Sequence, residues 1–330
     1  MNIPTLPKNT VRDALLGFAI GDAYGVPYEF LSRVEIARLE LGDMVGRDTS
    51  PAFESRWIDM IPAGAWSDDT SMLIAAMDGI IAEEGHIVDT DIMDRFVAWW
   101  DEGQFCSLDF PFGLGGNVSK ALVKYRCDFP PEQCGGTGFM DNGNGALMRI
   151  LPFSLYAIGR SLDFNEMLHV VHEGSALTHA HEISKVCCVL YTVFLKGCIT
   201  TGDVAIALRQ MQEVEWAKHY SKGTLEAVKV VLDPDFPNIP ISQIAETGYV
   251  VDSLEAALYS ILHSYDYRTA IQTAVRLGYD TDTNAGITGS LAGILYGIDS
   301  IPHEWLSVLK RRSYLEEMAS MFENTLNQLA

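Results

Sequence analysis

Basic residues are scarce in this 330-residue sequence. Lys and Arg number 23 against 44 Asp and Glu, a formal net charge of 23 − 44 = −21. A chain this acidic repels phosphate backbones and anionic membrane faces, which excludes a basic nucleic-acid groove. It favours solubility, a basic partner or bound metal cations. Cysteine is sparse as well. Cys106, Cys127, Cys134, Cys187, Cys188 and Cys198 form no C-x-x-C pair, so zinc-ribbon and thioredoxin chemistry are not suggested. Cys187, Cys188 and Cys198 lie in an apolar stretch and read as core thiols. No apolar run approaches the ~18 residues of a membrane span. The opening MNIPTLPKNT lacks a basic segment followed by an apolar core. A reduced, cytoplasmic protein is expected.

Familiar catalytic signatures are also missing. There is no G-x-x-x-x-G-K-[ST], no G-x-G-x-x-G behind a strand and no G-x-S-x-G. His181-Glu182 does not open an H-E-x-x-H, because Lys185 holds the second histidine position. His179 and His181, two apart, point away from each other on a helix and cannot form a same-face zinc pair there.

What is present has a helical period. The chain is 48% hydrophobic and 20% charged, the composition of a globular domain rather than a disordered segment or coiled coil. Val11, Ala14, Leu15, Phe18 and Ala19 recur at three- and four-residue steps. Gly17, Gly21 and Gly25 lie four apart, on one helical face where another backbone could approach closely. Further helices are expected over Ser71–Glu84, Asp89–Trp100, Asn165–Ala176, Glu182–Lys196, Asp203–Tyr220, Ser253–Ser264, Tyr267–Leu277, Ala285–Tyr296 and His303–Ala330. Alternating strand patterns are scarce. The expected fold is all-α, a single compact multi-helix domain over residues 1–330. Long loops are expected over Leu41–Ala65, Gln104–Asn117 and the glycine-rich Arg126–Gly145.

Two acidic clusters stand at helix starts: Trp66-Ser67-Asp68-Asp69-Thr70 and Gly278-Tyr279-Asp280-Thr281-Asp282-Thr283. Either alone reads as helix capping, since these oxygens accept from free N–H groups and suit the dipole. Together they supply far more oxygens than two caps need. The helices that follow are almost wholly apolar, so both starts are expected near the interior, where four carboxylates repel unless cations neutralise them. Hard cations prefer oxygen ligands, so two magnesium or manganese ions fit better than zinc. Asp22 lies on the glycine-faced helix, as a solvated polar residue or a neighbour of this centre. Glu29 follows Pro27 on a loop that could reach it. Asp141-Asn142-Gly143-Asn144-Gly145 reads as an Asn-Gly turn, or as a glycine-rich approach to a helix that holds phosphate.

In this order the segments LLGFAIGDAYGVPYEF, WSDDTSMLIAAM, DNGNGALMRILPF, LTHAHEIS and GYDTDTNAGITGSLAGILYG resemble the ADP-ribosylglycohydrolase family, from about residue 11 to residue 297. The resemblance implies an all-α fold with a binuclear magnesium or manganese centre. It implies removal of ADP-ribose from protein side chains or from small conjugates. By position, Ser67, Asp68, Asp69, Asp280, Asp282 and Thr283 match the metal ligands, and Glu29 a carboxylate near metals and substrate. Asn117 and Ser119 fall in an ADP-ribose-contacting loop; Asn142, Gly143 and His179 fall in segments lining the cleft. Hydrolysis would pass through an oxocarbenium-like transition state, with water activated by Glu29 or Asp69. Two departures are visible. Gly113 holds a position where arginine-type members often carry aspartate, with Asp109 the nearby acidic side chain that could substitute. Tyr279 stands where glycine is usual.

A different class of function is an ADP-ribose-binding or immunity protein, which neutralises an ADP-ribosylating toxin by binding it or by reversing its modification. Residues 51–100 carry ten Asp and Glu against two Arg, a segment that could face a basic partner or simply be solvated. A two-metal phosphatase ranks last, because no histidine adjoins either acidic cluster.

Overall fold

A computed structural model describes residues 6–48 and 60–329. The expected loop Leu41–Ala65 therefore lies partly outside the described residues, as does the last residue of the expected C-terminal helix. Among the described residues there are sixteen α-helices and no strand, only isolated bridges at Gly136–His179 and Gly143–Tyr249.

The twelve longer helices are α1 (Thr10–Gly25), α2 (Asp68–Ala82), α3 (Asp89–Glu102), α4 (Gly116–Arg126), α5 (Leu151–Gly159) and α6 (Phe164–Ala176), then α7 (Glu182–Thr201), α8 (Val204–Gln212), α9 (Val250–Leu262), α10 (Tyr267–Arg276), α11 (Thr281–Tyr296) and α12 (Arg312–Gln328). One continuous apolar core runs through them, from Val11 on α1 to Leu326 on α12. Contrary to the expectation from unbroken apolar runs, helix α7 is long and apolar enough to cross a membrane by length and composition. In this fold 72% of its apolar window is buried inside the protein.

Helix α1 organises the molecule. Its glycine face lies directly against α11: a Cβ added at Gly21 would stand 2.0 Å from the Ala285 carbonyl oxygen, and one at Gly17 would stand 2.3 Å from that of Gly289. Thr281 Oγ1 donates to the Gly25 carbonyl at 2.8 Å, fixing the register of the pair. The N-terminus of α11 is thereby brought beside the C-terminus of α1.

Two expected helices are shorter than their periodicity suggests. The Asp203–Tyr220 pattern stops at Gln212, where buried Trp216 folds back and donates its indole N–H to the Met211 carbonyl at 2.9 Å. A 3-10 turn, Trp216–Lys218, replaces the missing helix. The His303–Ala330 pattern breaks after His303–Val308, because the Lys310 N–H is taken by the Gly64 carbonyl at 2.9 Å and Arg311 adopts φ 49°. The first bond is local, spanning five residues, and the second is tertiary; each overrides helix propensity.

Candidate active site

The site begins at the start of α2. Ser67 caps the helix, accepting the Asp69 N–H at 3.3 Å, and Asp68 and Asp69 occupy the first turn, where carboxylates suit the dipole. Asp22 holds this turn from α1. Fully buried, it accepts the Ser67 N–H at 2.9 Å, the Thr70 N–H at 3.1 Å and the Thr70 hydroxyl at 2.6 Å. Burial pushes Asp22 up to about 6, and these hydrogen bonds oppose the rise. Asp22 is thus a brace for the Ser67–Thr70 turn and not a solvated residue.

The second cluster opens α11, with Asp282 and Thr283 in its first turn and Asp280 just before it. Asn144 ties the glycine loop to this cluster: its Nδ2 donates to Asp280 Oδ2 at 2.8 Å and to Ser253 Oγ at 2.9 Å. Glu29 follows the 3-10 turn Val26–Tyr28. Buried Arg47 reaches it, donating through Nη2 to Glu29 Oε2 at 2.8 Å and through Nε to the Val26 carbonyl at 2.9 Å. Burial pushes the Glu29 carboxyl up to about 7; the charge of Asp280 adds to this and that of Arg47 opposes it.

A cavity of about 340 Å³ gathers these parts, a volume typical of small-molecule sites. Glu29, Asp68, Asp69, Asp280, Asp282 and Thr283 line it together with Asn117, Gly143 and His179. Among the described residues, no lysine or arginine does. Three residues singled out from the sequence do not reach it. Ser67 is buried, its hydroxyl donated to Asp69 Oδ2 at 3.1 Å. Asn142 lines a neighbouring apolar groove with Phe139, Met140 and Tyr249. Its amide is engaged there, Nδ2 donating to the Phe139 carbonyl and Oδ1 accepting from Ser184 Oγ, both at 2.9 Å. Ser119 lines neither of these two cavities.

The donor set at the acidic end suits hard cations, with carboxylate and hydroxyl oxygens and no histidine or cysteine. Asp69 Oδ1 is buried with no hydrogen-bond partner. Burial, and then the charges of their acidic neighbours, push Asp68, Asp69 and Asp282 well above the usual carboxylate range. A divalent ion would relieve both conditions. Among the described residues, no three His, Cys, Asp or Glu side chains already gather to hold an ion.

The sequence profile of one family, described as ADP-ribosylglycohydrolase, matches residues 4–329. The chain belongs to the ADP-ribosylglycohydrolase family. Its sequence is 28% identical over 322 residues to an ADP-ribosylarginine hydrolase Tri1 of Pseudomonas putida, covering 96% of this chain and 78% of that protein. It is 28% identical over 300 residues to the ADP-ribosyl-[dinitrogen reductase] glycohydrolase of Rhodospirillum rubrum, covering 90% of this chain and 88% of that protein. A solved structure titled ADP-ribosylglycohydrolase-related protein complex superposes with a TM-score of 0.77 at 25% identity, over 96% of this chain and 98% of that one. The chain is accordingly a glycosidic-bond hydrolase of the ADP-ribosylglycohydrolase family, and the phosphatase alternative falls away.

Both departures from the family pattern acquire physical reasons. Gly113 has φ 91°, and a Cβ there would stand 2.2 Å from Asp68 Oδ1. In this ADP-ribosylglycohydrolase the loop backbone lies against the Asp68 carboxylate, so an aspartate at this position would have to displace that carboxylate from a backbone conformation that favours glycine. Asp109 does not replace it: exposed, it lines a separate pocket with Lys310. Tyr279 has φ 62°, a conformation glycine adopts freely and tyrosine only under strain. Reciprocal backbone bonds hold it, from Phe30 N–H to the Tyr279 carbonyl at 2.6 Å and from Tyr279 N–H to the Leu31 carbonyl at 2.7 Å. The two exposed rings meet edge to face at 5.7 Å, and both line the cavity. Sequence reasoning missed Arg47, Asn144 and this aromatic pair. A lone arginine in a long loop carries no signal, whereas Asn144 stood inside a motif already noticed.

Proposed function

We propose that this chain is a metal-dependent ADP-ribosylhydrolase that cleaves the bond between the distal ribose of ADP-ribose and a modified side chain. The observation that carries this reading is the meeting of both acidic clusters and Glu29 in one cavity. Asp68, Asp69, Asp280, Asp282 and Thr283 would hold two magnesium ions, or manganese, and Ser67, whose hydroxyl is donated to Asp69, would orient that carboxylate. When bound, such ions supply Lewis-acid polarisation and a fixed grip on the ribose hydroxyls.

The chain's own groups do the rest. Glu29, with a carboxyl near neutrality, accepts a proton from the attacking water and returns it to the leaving group. Asp69 is the alternative base. Arg47 fixes the Glu29 carboxylate, and Asn144 fixes that of Asp280. Asn117, Gly143 and His179 hold the diphosphate, while Tyr249 and Phe139 flank the adjoining groove where adenine stacks. The name of the Pseudomonas putida relative, with the acidic cleft and its Phe30–Tyr279 mouth, favours a cationic acceptor of the arginine type. Small ADP-ribose conjugates are the second substrate class to assay. A toxin or basic protein partner draws no support from these relatives' names.

Asp282→Ala is expected to lower turnover on ADP-ribosylated arginine about a thousandfold or more and to abolish its dependence on magnesium. Unchanged activity in that variant would remove the metal reading.

A further inference from the structure

Arg149 is a guanidinium with no solvent exposure and, among the described residues, no carboxylate partner. It closes the 3-10 turn Leu147–Arg149, immediately after the Gly143–Gly145 loop. Nη1 donates to the Gly174 carbonyl at 2.9 Å, Nη2 donates to Thr178 Oγ1 at 2.6 Å, and Nε has no partner. The guanidinium lies 5.0 Å over the Phe96 ring. Burial lowers Arg149 to about 10, so it remains a cation at neutral pH. Burying a charge without its counter-ion is strongly disfavoured and calls for a reason.

The reason lies one bond further on. Thr178 Oγ1 is 2.8 Å from His179 Nδ1. Arginine only donates, so Thr178 accepts from it and keeps one proton to give. Among the described hydrogen bonds, the only acceptor for that proton is His179 Nδ1. Nδ1 then carries no hydrogen, and in a neutral ring the proton sits on Nε2. Burial, then the Arg149 charge, push His179 down to about 3, which keeps the ring neutral. The Nε2 edge faces the glycine loop: Cβ atoms added at Gly145 and Gly143 would stand 3.5 and 3.6 Å from it. The backbone is fixed too, because Gly136 N–H donates to the Thr178 carbonyl at 3.1 Å and Ala180 N–H to the Gly136 carbonyl at 2.8 Å.

We propose that Arg149 is a positioning residue that acts through Thr178 to lock His179 as its Nε2–H form, so that His179 donates to an anionic oxygen of the diphosphate in the cleft. The ligand part rests on the ADP-ribose reading above. The relay gives the cavity, whose described lining has no lysine or arginine, a hydrogen-bond donor backed by a buried positive charge. The anion is attracted while the acidic end stays free of a competing cation.

The test is heteronuclear NMR of the full chain with nitrogen-15-labelled histidine, His179 being assigned by His179→Gln. Expected are an unprotonated Nδ1 and a protonated Nε2 in the wild type. Thr178→Val should give mixed tautomers, and Thr178→Ser should restore the single form. The affinity for ADP-ribose should fall about tenfold in Thr178→Val and return in Thr178→Ser. Arg149→Met should match Thr178→Val if it folds; the threonine pair decides the matter if it does not. A protonated Nδ1, or a Thr178→Val spectrum identical to wild type, would overturn the relay. Inorganic pyrophosphate separates the two readings. If it shifts the Nε2 resonance while ADP-ribose does not bind, the hydrolase reading fails and the relay stands. If neither probe moves Nε2, the proposal is overturned.

Discussion

At the scale of single residues, the site depends on side chains that position others. Asp22 does not line the active-site cavity, yet it satisfies three donors of the turn that presents Asp68 and Asp69. Gly113 matters through what it lacks. Its backbone lies against Asp68, so introducing the family's more usual aspartate by Gly113→Asp is expected to damage the site. Release of ADP-ribose should drop at least tenfold, with weaker magnesium dependence, because the added side chain displaces the Asp68 carboxylate. A gain in activity would show that the loop rearranges freely. The acidic residues themselves were legible in the sequence, since four carboxylates before apolar helices are conspicuous. Arg47, whose loop has no periodicity, was not, and only the fold reveals that it reaches Glu29.

At the scale of elements, the pairing of α1 with α11 sets the active site. Spacing alone showed that Gly17, Gly21 and Gly25 share a face; that the partner is α11 required the fold. Gly21→Ala drives a methyl into the Ala285 carbonyl. It should destabilise the protein by roughly 3 kcal/mol or more, read as a shift in the urea midpoint. Gly223 provides the contrast, being helical with nothing within 4 Å of an added Cβ. Gly223→Ala should be neutral or stabilising, by up to about 1 kcal/mol. Equal effects at the two sites would mean that helix propensity, and not backbone approach, governs α1. Helix ends were less legible than helix centres. Trp216 and Lys310 end their helices through hydrogen bonds to Met211 and Gly64, and no local pattern encodes the second of these.

At the scale of the whole molecule, the charge of −21 coexists with histidines held neutral inside the fold. His172, hydrogen-bonded to Tyr220 at 2.7 Å, is pushed down to about 4, chiefly by burial. Its unfolded value is higher, so between the two the unfolded chain binds more protons and stability rises with pH. Folding stability from this group is therefore complete above the unfolded value and is lost as pH falls toward about 4. With magnesium present, the melting temperature should fall from about pH 7 to about pH 5, and His172→Gln should fall less. An equal fall in both would assign the acid sensitivity to other groups. The all-α class was legible from the helical period, whereas the gathering of segments 250 residues apart into one cavity was not, because periodicity carries no information on which helix faces which.

The most direct test of the site is release of free ADP-ribose from arginine-ADP-ribosylated protein, measured with magnesium, with a chelator, and with Asp282→Ala. Release that needs both magnesium and Asp282 is expected. Release that survives chelation and the substitution would contradict a metal-dependent centre built on the two acidic clusters.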